Sequence, residues 1–163
     1  MFNRMIHFQK LRTALCAALF GLAIPLRSQS INVTGLWSLT LDVTMLQAGA
    51  GSDFIDPIQS ATNQVTANIQ PGPFGKTWIV YVHKQDILWD NSLHLDIRRQ
   101  SFPNVLGGMT YFELTGSDQE FFYSDNRKKT NGVQIQFQLR GQSVDLNPGT
   151  TYQTTVVYTL VDS

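Results

Sequence analysis

Residues 133–140 read Val133-Gln134-Ile135-Gln136-Phe137-Gln138-Leu139-Arg140, four apolar side chains separated one by one by polar ones. Successive side chains of an extended strand point to opposite faces, so this run has one apolar face and one wet face. A helix would scatter the same residues around its circumference. The period recurs at Trp37, Leu39, Leu41, Val43 and Met45, interleaved with Ser38, Thr40, Asp42 and Thr44. It recurs again at Leu93, Leu95 and Ile97, interleaved with His94, Asp96 and Arg98. No window after residue 46 carries a helical stripe. Trp78–Val82 and Tyr152–Val161 are apolar or bulky on both faces, which places them centrally or against a second surface.

Between these runs the chain is broken by Pro71-Gly72-Pro73, Gly107-Gly108, Gly116-Ser117-Asp118, Asn131-Gly132 and Asn147-Pro148-Gly149. Such clusters end strands. The expected strands are 34–45, 62–70, 77–83, 92–99, 110–115, 119–123, 132–140 and 151–161, with 143–146 as an optional ninth. Short strands at this density predict an all-β fold, an antiparallel two-sheet sandwich of immunoglobulin-like or jelly-roll kind. Gln47–Ala61 is the longest irregular segment.

The chain of 163 residues has zero formal net charge, but residues 1–30 hold four basic groups (Arg4, Lys10, Arg12, Arg27) and no acid. The rest carries eight basic groups against twelve acids, a balance of −4. Met1–Arg12 form a basic region, followed by the uncharged Thr13–Leu26. That run is too short for a membrane-crossing helix, which takes about 20 residues. It suits the core of a secretory signal, with Ser28 and Ser30 as the small residues before a cut. The expected organisation is a cleavable signal peptide over 1–30 and one sandwich domain over 31–163, secreted, periplasmic or at the cell surface. An uncut anchor is the alternative. Cleavage removes Cys16, the sole cysteine, and with it any disulfide, thiolate nucleophile or cysteine-held metal. A mildly acidic body has no basic stripe for nucleic acid, and after cleavage nothing binds the chain to a membrane.

Reactive constellations are sparse. His94 lies two positions from Asp96 on one strand face, yet no serine sits in a nucleophile elbow. Zinc lacks ligands at a defined spacing. Asp53 and Asp56 are the candidate calcium ligands, without the dense alternating oxygens of a calcium loop; no metal or other cofactor is expected. A pair of carboxylates for glycoside hydrolysis is a spatial matter, and nothing selects two of the twelve acids. Arg127-Lys128-Lys129 reads as an exposed loop. Among aromatics, Trp78, Tyr81, Trp89 and Phe122 are candidate stacking residues for a carbohydrate. In Phe121-Phe122-Tyr123 the alternation sends Phe122 to the face opposite its neighbours.

The closing segment Leu146-Asn147-Pro148-Gly149-Thr150-Thr151-Tyr152-Gln153-Thr154-Thr155-Val156-Val157-Tyr158-Thr159-Leu160 resembles the last strand of secreted bacterial spore-coat-U-type and pilin-like domains. These often end in a Pro-Gly-Thr-x-Tyr turn and an alternating Thr/Val strand. The resemblance implies an immunoglobulin-like sandwich assembled at the cell surface, with strand donation between subunits in the chaperone–usher kind. On that reading Val33–Met45 is the donor, anchored by Trp37, Leu39, Leu41 and Val43, and the partner is another copy or another surface subunit. The chain departs from those families in lacking their cysteine pair and the Tyr next to the C-terminus. The leading expectation is thus a non-catalytic structural or adhesive surface protein assembling by strand addition. A carbohydrate-binding module is the alternative, and a hydrolase on paired acids the third reading.

Overall fold

A computed structural model of the chain describes residues 28–72, 77–126, 128–146 and 149–162. The basic and apolar parts of the expected signal, with Cys16, lie outside the described residues, as do Asn147 and Pro148 of the closing motif.

Among the described residues nine strands follow in order: β1 (Ser30–Gly35), β2 (Ile58–Gln59), β3 (Val65–Gln70), β4 (Trp78–Leu88), β5 (His94–Arg99), β6 (Phe112–Glu113), β7 (Gln119–Ser124), β8 (Thr130–Arg140) and β9 (Gln153–Asp162). They form two antiparallel sheets. The larger runs β1-β3-β8-β5-β6 with β2 also beside β8, and the smaller runs β7-β4-β9. The inward residues of both meet in one core: Ala67, Ile69, Ile97, Val133 and Ile135 from the larger, Trp78, Val80, Val82, Phe122 and Leu160 from the smaller. The protein is an all-β sandwich.

The alternation read at 133–140 and 93–98 is realised in β8 and β5. Register brings Asp96 opposite Gln138 and Ile97 opposite Phe137, so polar faces polar and apolar faces apolar. One buried Leu, Ile, Val or Phe contributes about 1.5–3 kcal/mol, and a slip of one residue would turn every one of them outward.

The alternation at Trp37–Met45 is not realised as a strand. β1 starts four residues earlier than expected, at Ser30, and ends at Gly35, whose φ is +126°. A side chain there would run into the backbone of Gln64 and Val65, so only glycine allows this exit from the sheet edge. Leu36 is then 80% exposed. Trp37 turns back onto the domain's own core, its ring stacked on Phe137 at 6.1 Å and 6°. The Asp42 carboxylate accepts from the Thr44 amide at 2.7 Å and caps a 3-10 turn over Val43–Met45, the local competition that short polar side chains offer to extended backbone.

Two further readings are corrected by bulges. In β7, Val80 pairs with Phe122 and Tyr81 with Glu120, so Phe121 is an extra residue without an opposite number. That bulge suspends the two-residue period and both phenylalanines turn inward, Phe121 edge-on to Phe112 at 5.7 Å and Phe122 edge-on to Trp78 at 6.1 Å. Asn131-Gly132 does not end a strand: it lies inside β8, where Ala67 pairs with Val133 but Asn68 with Asn131. Gly132 takes φ +84° and its amide bonds to Asn68 Oδ1 at 2.9 Å.

The expected strand 62–70 is β3, which starts at Val65, and β2, inside the segment read as irregular, lies end to end with it along one flank of β8. Ser60 joins them. Its amide donates to the Phe137 carbonyl and its Oγ accepts from the Phe137 amide, both at 2.9 Å, so one serine replaces a missing ladder rung. The segment 143–146 forms no strand.

Ser60 is 7% exposed, so Ser60→Ala leaves the Phe137 amide buried without an acceptor. The expected cost is about 1–3 kcal/mol, read from urea unfolding monitored by tryptophan fluorescence.

Candidate functional site

The sandwich presents two outward sheet faces of different chemistry. On the larger sheet, the parity that sends Leu95, Ile97, Val133, Ile135 and Phe137 inward sends His94, Asp96 and Arg98 of β5 outward beside Arg140, Gln138 and Gln136 of β8. β6 adds Glu113 opposite Asp96.

These side chains form a continuous network. Gln59 Nε2 donates to Gln138 Oε1 at 3.0 Å, and Gln138 Nε2 donates to Asp96 Oδ2 at 3.1 Å. Arg140 grips Asp96 with two bonds, Nε to Oδ2 at 2.6 Å and Nη2 to Oδ1 at 2.9 Å, and reaches Glu113 Oε2 at 3.2 Å. Glu113 Oε1 lies 2.8 Å from His94 Nδ1. A second branch gathers on Gln136, whose Oε1 accepts from Arg98 at 2.8 and 3.0 Å and from Gln100 at 3.0 Å. Its amide group donates to the Ser60 carbonyl at 2.8 Å. The Arg98 guanidinium lies 4.6 Å above the Tyr111 ring, within cation–π range.

Asp96 is 4% exposed although it faces outward, because the neighbouring long side chains close over it. Although His94 and Asp96 share a strand face, they do not pair: Arg140 takes Asp96, and His94 is left to Glu113 on the adjoining strand. The Glu113 carboxyl is held below its usual range, first by the His94 hydrogen bond, and the Arg140 guanidinium is held charged, first by its bond to Asp96. Two carboxylates do converge here, but around a shared guanidinium. A glycosidase pair needs one carboxyl kept protonated near neutrality, and the shift at Glu113 runs the other way.

Toward β1 the same face becomes amide-rich. Asn32, Asn68 and Asn131 stand in register across β1, β3 and β8, beside an open depression of about 510 Å³ that they line with Ser30, Gln70 and Lys129.

The smaller sheet turns Ile79, Tyr81, His83 and Gln85 outward from β4, with Val157, Thr159 and Val161 opposite them on β9. His83 Nδ1 lies 2.6 Å from Asp118 Oδ1 and its Nε2 lies 3.2 Å from Gln85 Nε2. Of the four candidate stacking residues, Trp78 and Phe122 are wholly buried and offer no ring face to a ligand. The bulge at Phe121 and the packing of Trp78 on Phe122 account for their burial. Tyr81 lies half-buried on the outer face. Trp89 is held in the β4–β5 turn, its indole donating to the Leu93 carbonyl at 2.8 Å with Lys84 Nζ 5.4 Å from its ring.

The proposed donor anchors are likewise dispersed. Trp37 packs on Phe137, Leu39 and Leu41 are half-buried outside any strand, and Val43 is 79% exposed in the 3-10 turn. Asp53 and Asp56 each hold backbone: Asp53 Oδ1 accepts from Val144 at 3.1 Å, and Asp56 accepts from Gly141 at 3.3 and 3.4 Å. Among the described residues no three His, Cys, Asp or Glu side chains gather as metal ligands, and no helix is long and apolar enough to cross a membrane.

Comparison with known proteins gives no match: no family model, curated protein or solved structure matches the chain.

The depressed Glu113 pKa links folding to pH in a defined direction. A group whose pKa falls on folding stabilises the fold above its unfolded value, ordinarily 4.5, and loses that contribution as pH drops through the lower folded value. Glu113→Gln should therefore flatten the loss of stability below about pH 4.5 and leave the profile above pH 5 parallel to wild type. Denaturation midpoints across the acid range measure this.

Proposed function

We propose that this is a secreted, non-catalytic structural or adhesive surface domain that associates through a sheet edge. The observation that carries the reading is β9. It closes the smaller sheet, is ten residues long, and pairs with β4 alone among the described strands. From Gln153 to Val161 it has no charge and no proline. Soluble sandwiches usually blunt such an edge with lysine, proline, a bulge or a cover. β7 covers the other flank of β4 only over Trp78–Val82, so the β4–β9 pair continues as a two-stranded ribbon over Lys84–Leu88. Ile87 and Leu88 there are 64% and 53% exposed.

The mode of assembly differs from donation by Val33–Met45. Val33–Gly35 already completes the domain's own larger sheet against β3, and the rest of that segment is not extended. A sandwich in which no further described strand pairs with the outer flank of β9 favours edge-to-edge pairing of two copies, in which β9 meets its own symmetry mate antiparallel. Gln29 donates to the Leu160 carbonyl at 3.2 Å; signal cleavage after Ser30 would remove that bond from the edge. The order of the larger sheet, with β8 inserted between β3 and β5 while β4 crosses to the other layer, favours jelly-roll over immunoglobulin-like connection. The spore-coat-U-type and pilin-like resemblance then extends to the closing strand and the surface location, not to strand exchange.

For a β9 pair centred on Val157, Thr155 of one copy faces Thr159 of the other, and both are exposed. Sedimentation velocity over a wide concentration range should show a reversible dimer for the wild type. T155K/T159K places like charges opposite each other and should give a monomer of unchanged melting temperature; T155K/T159E makes the pairs complementary and should restore the dimer. A wild type that stays monomeric throughout, or a T155K/T159K variant that dimerises as before, overturns the proposal.

A further inference from the structure

We infer that the amide-lined depression on the outer face of the larger sheet is a binding site for an uncharged glycan. The inference deepens the adhesive reading by naming what the domain would hold, and the site lies on the outer face of the larger sheet, whose edge strand β1 packs against β9.

The site is built by register. Asn32 of β1, Asn68 of β3 and Asn131 of β8 are successive cross-strand partners, so their carboxamides stand in a row at the strand spacing of about 4.8 Å. The bulge at Gly132 keeps the third in line. Without it, the two-residue period running back from Val133 would turn Asn131 inward.

Two of the amides are fixed in opposite senses. Asn68 Oδ1 accepts from the Gly132 amide at 2.9 Å, which leaves its NH2 group as a donor on the outer face. Gln70, two residues on and on the same face, donates to the Pro71 carbonyl at 3.3 Å, which leaves its oxygen as an acceptor. Among the described residues, no protein group bonds the side chains of Asn32 or Asn131, and each offers a donor and an acceptor together. Sugar hydroxyls are simultaneous donors and acceptors, and adjacent hydroxyls match the paired ends of a carboxamide. A peptide side chain would find little apolar anchorage, since among the described residues of the lining only Ile69 is apolar and its side chain is buried in the core. Among the described lining residues an anion would find one cationic side chain, Lys129, beside five neutral polar groups, joined after cleavage by the Ile31 α-amino group. The volume of about 510 Å³ suits one or two sugar rings.

The remaining groups stay in place whichever way the N-terminus is processed. Cleavage after Ser30 removes one hydroxyl from the rim and brings the α-amino group of Ile31 beside it; the three asparagines, Gln70 and Lys129 are unaffected.

Side-chain NH2 resonances of Asn and Gln report such a site directly in 1H-15N spectra. The probes are neutral lactose, mannotriose and cellotetraose, with sialyllactose and a sulfated heparin tetrasaccharide as charged arms, titrated into the T155K/T159K monomer as well as the wild type. Using both proteins separates failure of glycan binding from failure of edge pairing. The expected result is saturable shifts at the Asn32, Asn68, Gln70 and Asn131 side chains with at least one neutral sugar. Asn68→Asp keeps the acceptor for Gly132 and loses the donor, so it should weaken binding about tenfold or more with the melting temperature held. Asn32→Ala, at an exposed edge position, should weaken it without touching the bulge. The inference is overturned if none of the neutral probes shifts these resonances, if the shifts fall on Tyr81 and the smaller sheet, if the charged probes alone bind, or if Asn68→Asp binds as well as wild type.

Discussion

Strand β8 is hydrogen-bonded on both flanks along most of its length, to β2, Ser60 and β3 on one side and β5 on the other. Its inward residues Val133, Ile135 and Phe137 lie in the core shared with the smaller sheet. Every strand of the larger sheet except β1 and β6 touches it directly, and those two are each one strand away. The constraint it imposes is parity. Once Ile135 and Phe137 are inside, Gln134, Gln136, Gln138 and Arg140 must be outside, and every partner strand inherits the same sorting through register. The polar network around Asp96 and the asparagine row are consequences of that sorting at opposite ends of one strand.

Parity was legible wherever the chain stays in regular strand. At β8 and β5 the written alternation sorts the side chains to the inner and outer faces as read, with Asp96 and Gln136 buried on the outer face by their neighbours. It failed where one residue breaks the count or leaves the sheet. Phe121 and Phe122 share a side because of a bulge that no composition signal marks. Trp37–Met45 alternates as cleanly as β8 does, but Gly35 has already taken the chain off the edge and Asp42 offers its carboxylate to Thr44. Alternation states that a segment could cover a face; whether a neighbour offers backbone partners is decided by contacts distant in sequence. The same limit explains Arg98 and Arg99. Adjacent and alike in the sequence, they separate completely: Arg98 joins Gln136 outside, while Arg99 is 2% exposed and donates to the Gln100 and Val105 carbonyls.

The groups that now stand out on the larger sheet were present in the chain but unconnected. Glu113 and Asp96 lie in separate strands, and only the β5–β6 register brings them opposite each other. Asn68 and Asn131 are sixty-three positions apart, and their alignment depends on a one-residue shift. Single-chain reading finds sites whose members are close in sequence or carry a rare chemistry; this face is made of common polar residues whose meaning is positional. Parity had one usable signal: His94, Asp96 and Arg98 share a strand face with no apolar residue among them, as do Gln134, Gln136, Gln138 and Arg140.

Charge separates the two ends of that face. Around Asp96 the ionisable groups are consumed by one another, with Arg140 shared by two carboxylates and His94 spent on Glu113, so little remains to act on an outside molecule. Around Asn68 the side chains are, Lys129 apart, neutral and only partly engaged, and desolvating an amide costs far less than desolvating an ion. An ion network rigidifies β5, β6 and β8 against each other at one end, while the amide row stays free to exchange its water for hydroxyls at the other. The open edge of β9 lies in the opposite layer. The proposed amide-row site lies on the outer face of the larger sheet and the proposed β9 pairing at the edge of the other layer, against which β1 packs; two domains joined through β9 would each present an amide row on that outer face. Multivalency on that pattern multiplies a weak contact into a firm one without any new contact in either copy.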